Sequence, residues 1–328
     1  MRKLLYKLLR YEYWPWWALF IPLIPMYLYS IVVTRKLLYF TAVNPAIDMG
    51  GFFGERKNEI MELIPETYKP KEKLIRAGDA NASENLNDFT LPVFLKPNIG
   101  ERGFEVVEIN TVDQFENYQN KGFDFVIQEK LNEKLEFGLS YHRLNGRGKI
   151  SSLVHKEFMT VIGDGERTVY DLVNNNPRHR LYMNIVEKEH AENLHKVPPK
   201  GEKHIVHMIG NHSKGTRFVN MDHLINESLT ASIDKLASKI EGFDYGRFDF
   251  KVESIEALEQ GHIKIFELNG VSAEPGTMYD QNNVFQTFGL LYRHWNYIAL
   301  IAKQNIKKGV KTTPLTKFIY QIYNHFFT

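Results

Sequence analysis

Cysteine is absent from the 328-residue chain. Its absence excludes disulfides, thiolate metal sites and cysteine nucleophiles, and is neutral about compartment. Neither sign of charge is in excess. Lys and Arg number 41 against 39 Asp and Glu, for a formal net charge of +2. The basic residues are scattered rather than striped, so no nucleic-acid partner is expected. Internal repeats and low-complexity tracts are also missing. The length suffices for a sizeable core, in one large domain or two to three small ones.

What is present is concentrated in two short segments. Arg247-Phe248-Asp249-Phe250-Lys251 and Phe266-Glu267-Leu268-Asn269 alternate polar and apolar residues, as half-buried strands do. A polar stretch, 253–262, separates them, so they are expected to pair as antiparallel neighbours. Asp249, Glu267 and Asn269 then project from one sheet face into one small volume. Two carboxylates and an amide oxygen are hard ligands, suited to Mg²⁺ that keeps waters and binds nucleotide phosphates.

The N-terminus is the other unusual feature. Residues 14–33 carry no charge, and about 20 apolar residues span a bilayer as a helix. Arg2, Lys3, Lys7 and Arg10 precede the segment and Arg35 and Lys36 follow it, which keeps both flanks cytoplasmic under the positive-inside rule. Tyr11, Tyr13, Trp14, Trp16 and Trp17 crowd one end like an interfacial belt. No small-residue cleavage site follows, which argues against a removable signal peptide. Pro22 and Pro25 predict a kink or break in the middle. The expectation is a helix–break–helix that dips into one leaflet. A single span and a buried hairpin or homodimer contact are the alternatives. Leu4, Leu5, Leu8 and Leu9 form one helical face. So do Phe318, Ile319, Ile322, Tyr323, Phe326 and Phe327, whose stripe is expected to pack on the core or lie in a membrane interface.

Between these ends, strands are expected over 91–96, 104–109, 123–128, 137–144 and 150–155, the last two as a hairpin around Asn145-Gly146. Helices are expected over 55–63, 112–118, 229–240 and 283–306, with another starting at Thr168. Residues 174–203 are polar and proline-bearing, and read as a mobile or substrate-facing insertion. Strands and helices mixed without strict alternation give an α+β class. Lys96 leads into a loop containing Gly100 and Gly103, through which backbone N–H groups can approach phosphate. Glu129-Lys130 ends a strand, and Glu136 follows seven residues after Glu129, placed to accept from ribose hydroxyls. The segment 207–218 contains His207, His212, Lys214 and Arg217. Zinc is not expected there, because the two histidines are five apart with no acidic neighbour.

The order of these pieces resembles the ATP-grasp ligases, in particular D-alanine–D-alanine ligases and cyanophycin synthetases. Glu129-Lys130 with Glu136-Phe137 is similar to the adenine-hinge and ribose carboxylates of the former. Tyr245-Gly246-Arg247-Phe248-Asp249, Glu267-Leu268-Asn269 and Pro275-Gly276-Thr277-Met278 are similar to its metal and transition-state segment. Gly163-Asp164-Gly165 resembles a turn of the latter.

The resemblance implies an ATP-grasp fold of two α+β subdomains and two Mg²⁺ ions (Mn²⁺ as an alternative) on Asp249, Glu267 and Asn269, with Glu267 shared. It implies ATP phosphates on Lys96 and Lys57, a flap at Gly100 to Gly103, and adenine and ribose at Glu129, Lys130 and Glu136. Arg247 would stabilise the transferring phosphoryl group, and Arg217 would hold a substrate carboxylate. The expected reaction is amide formation through an acyl phosphate. A non-catalytic ATP-binding scaffold is the alternative. The chain then divides into a hydrophobic membrane-associating segment (1–40), a connector and first subdomain (41–128), a second subdomain with the metal site (129–306) and an amphipathic helix (307–328). The family usually carries a preceding α/β domain, and only about fifty residues precede Gly54 here. A partner is therefore expected to supply that part, or the substrate, small or lipid-linked, to come from the membrane side.

Overall fold

Two antiparallel sheets face each other across a cleft. A computed structural model describes residues 10–100, 103–281 and 283–327, with Trp16 and 324–327 described by backbone alone. The first sheet has the order β1-β4-β2-β3, from β1 (Glu72–Ile75), β2 (Val93–Pro97), β3 (Val107–Ile109) and β4 (Phe125–Glu129). The second has the order β11-β10-β5-β6-β9, from β5 (Leu135–Leu144), β6 (Arg147–Glu157), β9 (Arg217–Asn220), β10 (Tyr245–Val252) and β11 (Lys264–Asn269). A two-stranded sheet pairs β7 (Met159–Ile162) with β8 (Lys203–His207). Every pair is antiparallel, so the class is mixed α+β, as the irregular alternation of elements indicates.

Strand alternation decides which side chains meet the cleft. Phe137, Leu139, Tyr141, Phe248 and Phe250 point one way, into a core shared with Leu229, Ile233 and Leu236 of the helix Glu227–Ala237. The intervening residues of the same strands, Glu136, Arg247 and Asp249, therefore share the other face. Asn145 and Gly146 take φ of 54° and 75°, the double left-handed conformation that a two-residue hairpin turn requires.

The N-terminal α-helix is interrupted where the prolines stand. Helix Trp16–Phe20 passes through a 3₁₀ turn, Ile21–Leu23, into helix Ile24–Thr34. Pro22 and Pro25 each stand in the first positions of their element, where a missing N–H costs nothing. The segment lies on the body of the protein. Leu19, Leu23, Met26, Ser30 and Thr34 form a buried stripe, and Trp17, Ile21, Ile24, Leu28 and Val32 form an exposed one on the opposite side. The connector that follows is not a loose linker. Tyr39, Phe40 and Val43 pack against Ile298, Ile301 and Ala302 of the long helix Val284–Lys307. Asn44, fully buried, accepts from the backbone N–H of Asp244 and Tyr245 and donates to the carbonyls of Gly50 and Tyr245. The polar run 174–203 is likewise no free insertion: Tyr182, Met183, Val186 and Leu194 close a core over β7 and β8. At the C-terminus, helix Leu315–Phe327 tucks Phe318 against Phe40, Phe52 and Phe53, and leaves Leu315, Ile319, Tyr320 and Tyr323 exposed. The N-terminal leucine face lies outside the described residues.

Candidate active site

Register assembles the charged cluster. On β10 and β11, Arg247 stands opposite Asn269 and Asp249 opposite Glu267. On the other side of β10, Asp249 stands opposite Gly138. That glycine matters: a Cβ there would lie 3.1 Å from Asp249 Oδ1 and 3.3 Å from Val154. The bare backbone leaves the space that the carboxylate occupies.

Asp249 is buried and binds two cations. Arg247 Nε and Nη2 donate to its two oxygens at 2.9 and 3.0 Å, and Lys156 Nζ approaches Oδ1 at 3.2 Å. Asn269 Nδ2 donates to Oδ2 at 3.3 Å. Lys57 Nζ donates to Glu267 Oε1 at 2.7 Å. Lys57 is placed there by Asn98, whose carbonyl and side chain accept from the first two N–H groups of the helix Lys57–Glu62. From the first sheet, Lys96 Nζ donates to Gln128 Oε1 at 2.6 Å and reaches the Phe266 carbonyl across the cleft at 3.4 Å. Lys156 Nζ also pairs with Glu136 Oε1 at 3.4 Å.

These contacts set the electrostatics. Burial alone would raise the Glu267 pKa, but the charges of Lys57 and Lys96 and the hydrogen bond from Lys57 hold it well below the usual carboxylate range. Burial pushes Glu136 up, against the pull of Lys156 and Lys251. Burial also brings Lys96 down to about 8, with Glu267 opposing. Burial would weaken the Arg247 cation, but Asp249 outweighs it and keeps the guanidinium charged.

Asp249, Glu267 and Asn269 offer hard oxygen donors on adjacent strands, which fits Mg²⁺ and not a soft metal. The structure thus brings together Lys57, Lys96, Glu136, Arg247, Asp249, Glu267 and Asn269, and all line one cavity with Gly100, Gly103 and Glu129. Residues 101 and 102 of the flap lie outside the described residues. Lys130 points elsewhere, to Glu108 at 2.9 Å. Arg217 does not line the cavity; it is exposed and pairs with Glu157 at 3.6 Å.

Lys156 is the residue that sequence reasoning missed. Counting back from the Asn145-Gly146 turn brings its neighbourhood opposite Glu136, but a bulge between Ser140 and Tyr141 shifts the register by one. Nothing in the sequence announces that bulge. The expectation of no acidic neighbour for His207 is also corrected. The packed 174–203 region brings Glu189 and His190 to it, with His190 Nε2 and His207 Nδ1 2.7 Å apart. Lys214 pairs with the same Glu189.

No family model and no curated protein matches the chain. Among solved structures it is similar to the D-alanine–D-alanine ligase of Bacillus anthracis, at 13% identity and TM-score 0.44, over 77% of this chain and 68% of that one. It is similar to the VanG D-Ala:D-Ser ligase of Enterococcus faecalis at 12% and 0.44, over 74% and 61%. It is similar to a bifunctional glutathione synthetase of Pasteurella multocida at 13% and 0.37, over 73% and 36%. Likeness at this level carries no argument about activity or substrate.

Proposed function

We propose that the chain is an ATP-dependent carboxylate–amine ligase of ATP-grasp type, working at the cytoplasmic face of a membrane. The observation that carries this reading is the β10–β11 register, which sets Asp249 opposite Glu267 and Arg247 opposite Asn269 in a cleft ringed by lysines. Lys57, Lys96, Lys156 and Arg247 gather around Glu136, Asp249 and Glu267 in that lining. A cleft with clustered lysines beside hard oxygen donors suits a metal-bound triphosphate.

In this reading Asp249, Glu267 and Asn269 hold Mg²⁺, which when bound neutralises phosphate charge. Lys57, Lys96 and Lys156 turn from their carboxylate and amide partners to phosphate oxygens. A substrate carboxylate oxygen attacks the γ-phosphorus, the bond to the β-phosphate oxygen breaks, and ADP leaves. An amine then attacks the acyl phosphate carbon, phosphate departs and the amine loses a proton. Arg247 stands where charge develops in both steps. No enzyme nucleophile is needed, which agrees with the lack of cysteine. The helical segment 16–34 supports the membrane part. Its buried stripe holds it along the body, so it suits insertion parallel to a lipid surface better than a perpendicular span.

The test is Mg²⁺-dependent ATP binding and ADP release with mixed carboxylates and amines. Asp249→Asn and Glu267→Gln should each lower ADP release by at least about 10²-fold. Release that both variants leave intact would sink the reading.

A further inference from the structure

The charged cleft is one end of a larger cavity of about 1300 Å³, above the roughly 300–1,000 Å³ of an ordinary ligand pocket. Past Arg247 and Ser272 the lining turns apolar and aromatic. Phe40 and Phe52 lie with ring centroids 4.4 Å apart, and Trp295 packs at 6.5 Å from Phe40 and 6.4 Å from Phe20. Leu23 and Ile24 of the N-terminal helical segment complete this end.

That segment has two apolar sides, and Ile24 belongs to both. It lines the cavity, yet it is 50% exposed and sits in the outer stripe with Trp17, Ile21, Leu28 and Val32. The apolar end therefore reaches an uncovered apolar surface. A helix apolar on both sides, with only one side packed, leaves the other to a non-aqueous medium. At the opposite end, Arg247 Nη1 makes only a 3.5 Å contact to the Glu274 carbonyl among the described residues, so a guanidinium nitrogen is available where the two environments meet.

We propose that this cavity binds a long-chain carboxylate amphiphile taken from a lipid surface. Its apolar chain lies among Phe20, Leu23, Phe40, Phe52 and Trp295, and its carboxylate lies at Arg247. The Arg247 guanidinium, with Nη1 at this junction, pairs with an anionic head and not with an ammonium one. The inference rests on the ligase reading and names its substrate class.

The experiment uses the full chain and unbranched saturated carboxylates from four to sixteen carbons, presented from phosphatidylcholine vesicles. Binding is read by displacement of a fluorescent polyene fatty acid, and ADP release is read in parallel with Mg²⁺, ATP and mixed amines present. Affinity should rise roughly fourfold per added methylene and then level off. Leu23→Trp should move the plateau to shorter chains, with ATP binding as the check that the variant is folded. Ile24→Asp, at a half-exposed position that tolerates charge, should weaken binding of the long acids and spare the short ones. A flat chain-length profile, or a plateau that neither variant moves, overturns the proposal. The two readings fail separately. Flat binding with ADP release on four-carbon acids keeps the ligase and removes the amphiphile. Steep binding without ADP release keeps the amphiphile site and removes the ligase.

Discussion

The two ends of the cavity are built by different rules. The charged end comes from strands, where period-two alternation and register fix which side chains meet. One glycine, Gly138, opens the space for Asp249. The apolar end comes from helices and a buried connector, where aromatic rings touch without directional bonds. The first should therefore be intolerant of single changes and the second graded. Removing one charge leaves its partners buried and uncompensated, whereas trimming one ring leaves the others in place.

The largest effect that separates the ends is expected from Asp249→Ala. Its carboxylate, 1% exposed, is the shared partner of Arg247 and Lys156. Loss of one partner of a buried ion pair costs about 3–5 kcal/mol, and the denaturant midpoint should fall accordingly. A midpoint equal to wild type would mean that water reaches this cluster freely, and the contrast between the ends would dissolve.

That contrast also explains what was legible in the sequence. The paired strands and their ligand set followed from alternation, because each strand is half buried and a two-residue period shows it. Strand β1, with Glu72 and Lys73 in a four-residue run, carries no such pattern and was not found. Lys156 was hidden by a bulge, since register is a property of two strands and not of one. The packing of 174–203 was hidden by composition: a few apolar residues among many polar ones are enough to close a small core. The interruption at Pro22 of the N-terminal segment was legible, because proline cannot continue a helix interior. Its lie along the body was not, because apolar residues stand on both its buried and its exposed sides. The apolar end was out of reach because Phe40 and Phe52 stand near one end of the chain and Trp295 near the other.

A middle-sized effect comes from pH and touches only the charged end. Burial brings Lys96 down to about 8, below the usual lysine range, so above pH 8 a growing share of free protein carries a neutral Lys96. Phosphate oxygens beside it favour the charged form, so the nucleotide-bound state has the higher pKa. Binding above pH 8 should then take up a proton, and ATP affinity should fall by up to about tenfold per pH unit. Calorimetry at pH 9 in two buffers of different ionisation enthalpy measures the uptake. Lys96→Arg, which stays charged, should remove both the uptake and the fall. Proton uptake that persists in Lys96→Arg would assign the titration to another group. Affinity for long-chain acids should follow neither trend.

The smallest effect is expected at a residue that belongs to neither end. Arg217 was expected to grip a substrate carboxylate, and it stands at the start of β9 with its side chain 58% exposed, 3.6 Å from a Glu157 that is itself 45% exposed. An exposed pair of this kind contributes about 0–1 kcal/mol. Arg217→Ala should leave stability within about 0.5 kcal/mol of wild type, and ATP binding and chain-length preference should not change. The informative measurement is turnover at saturating ATP. A turnover that stays within twofold leaves Arg247 as the guanidinium that meets the substrate. A tenfold loss of turnover with unchanged ATP binding would mean that the 208–217 segment closes over the cleft during the reaction. Gly210 already touches that cleft, since a Cβ there would overlap the Glu136 carboxylate, so such a closure has only a short way to travel.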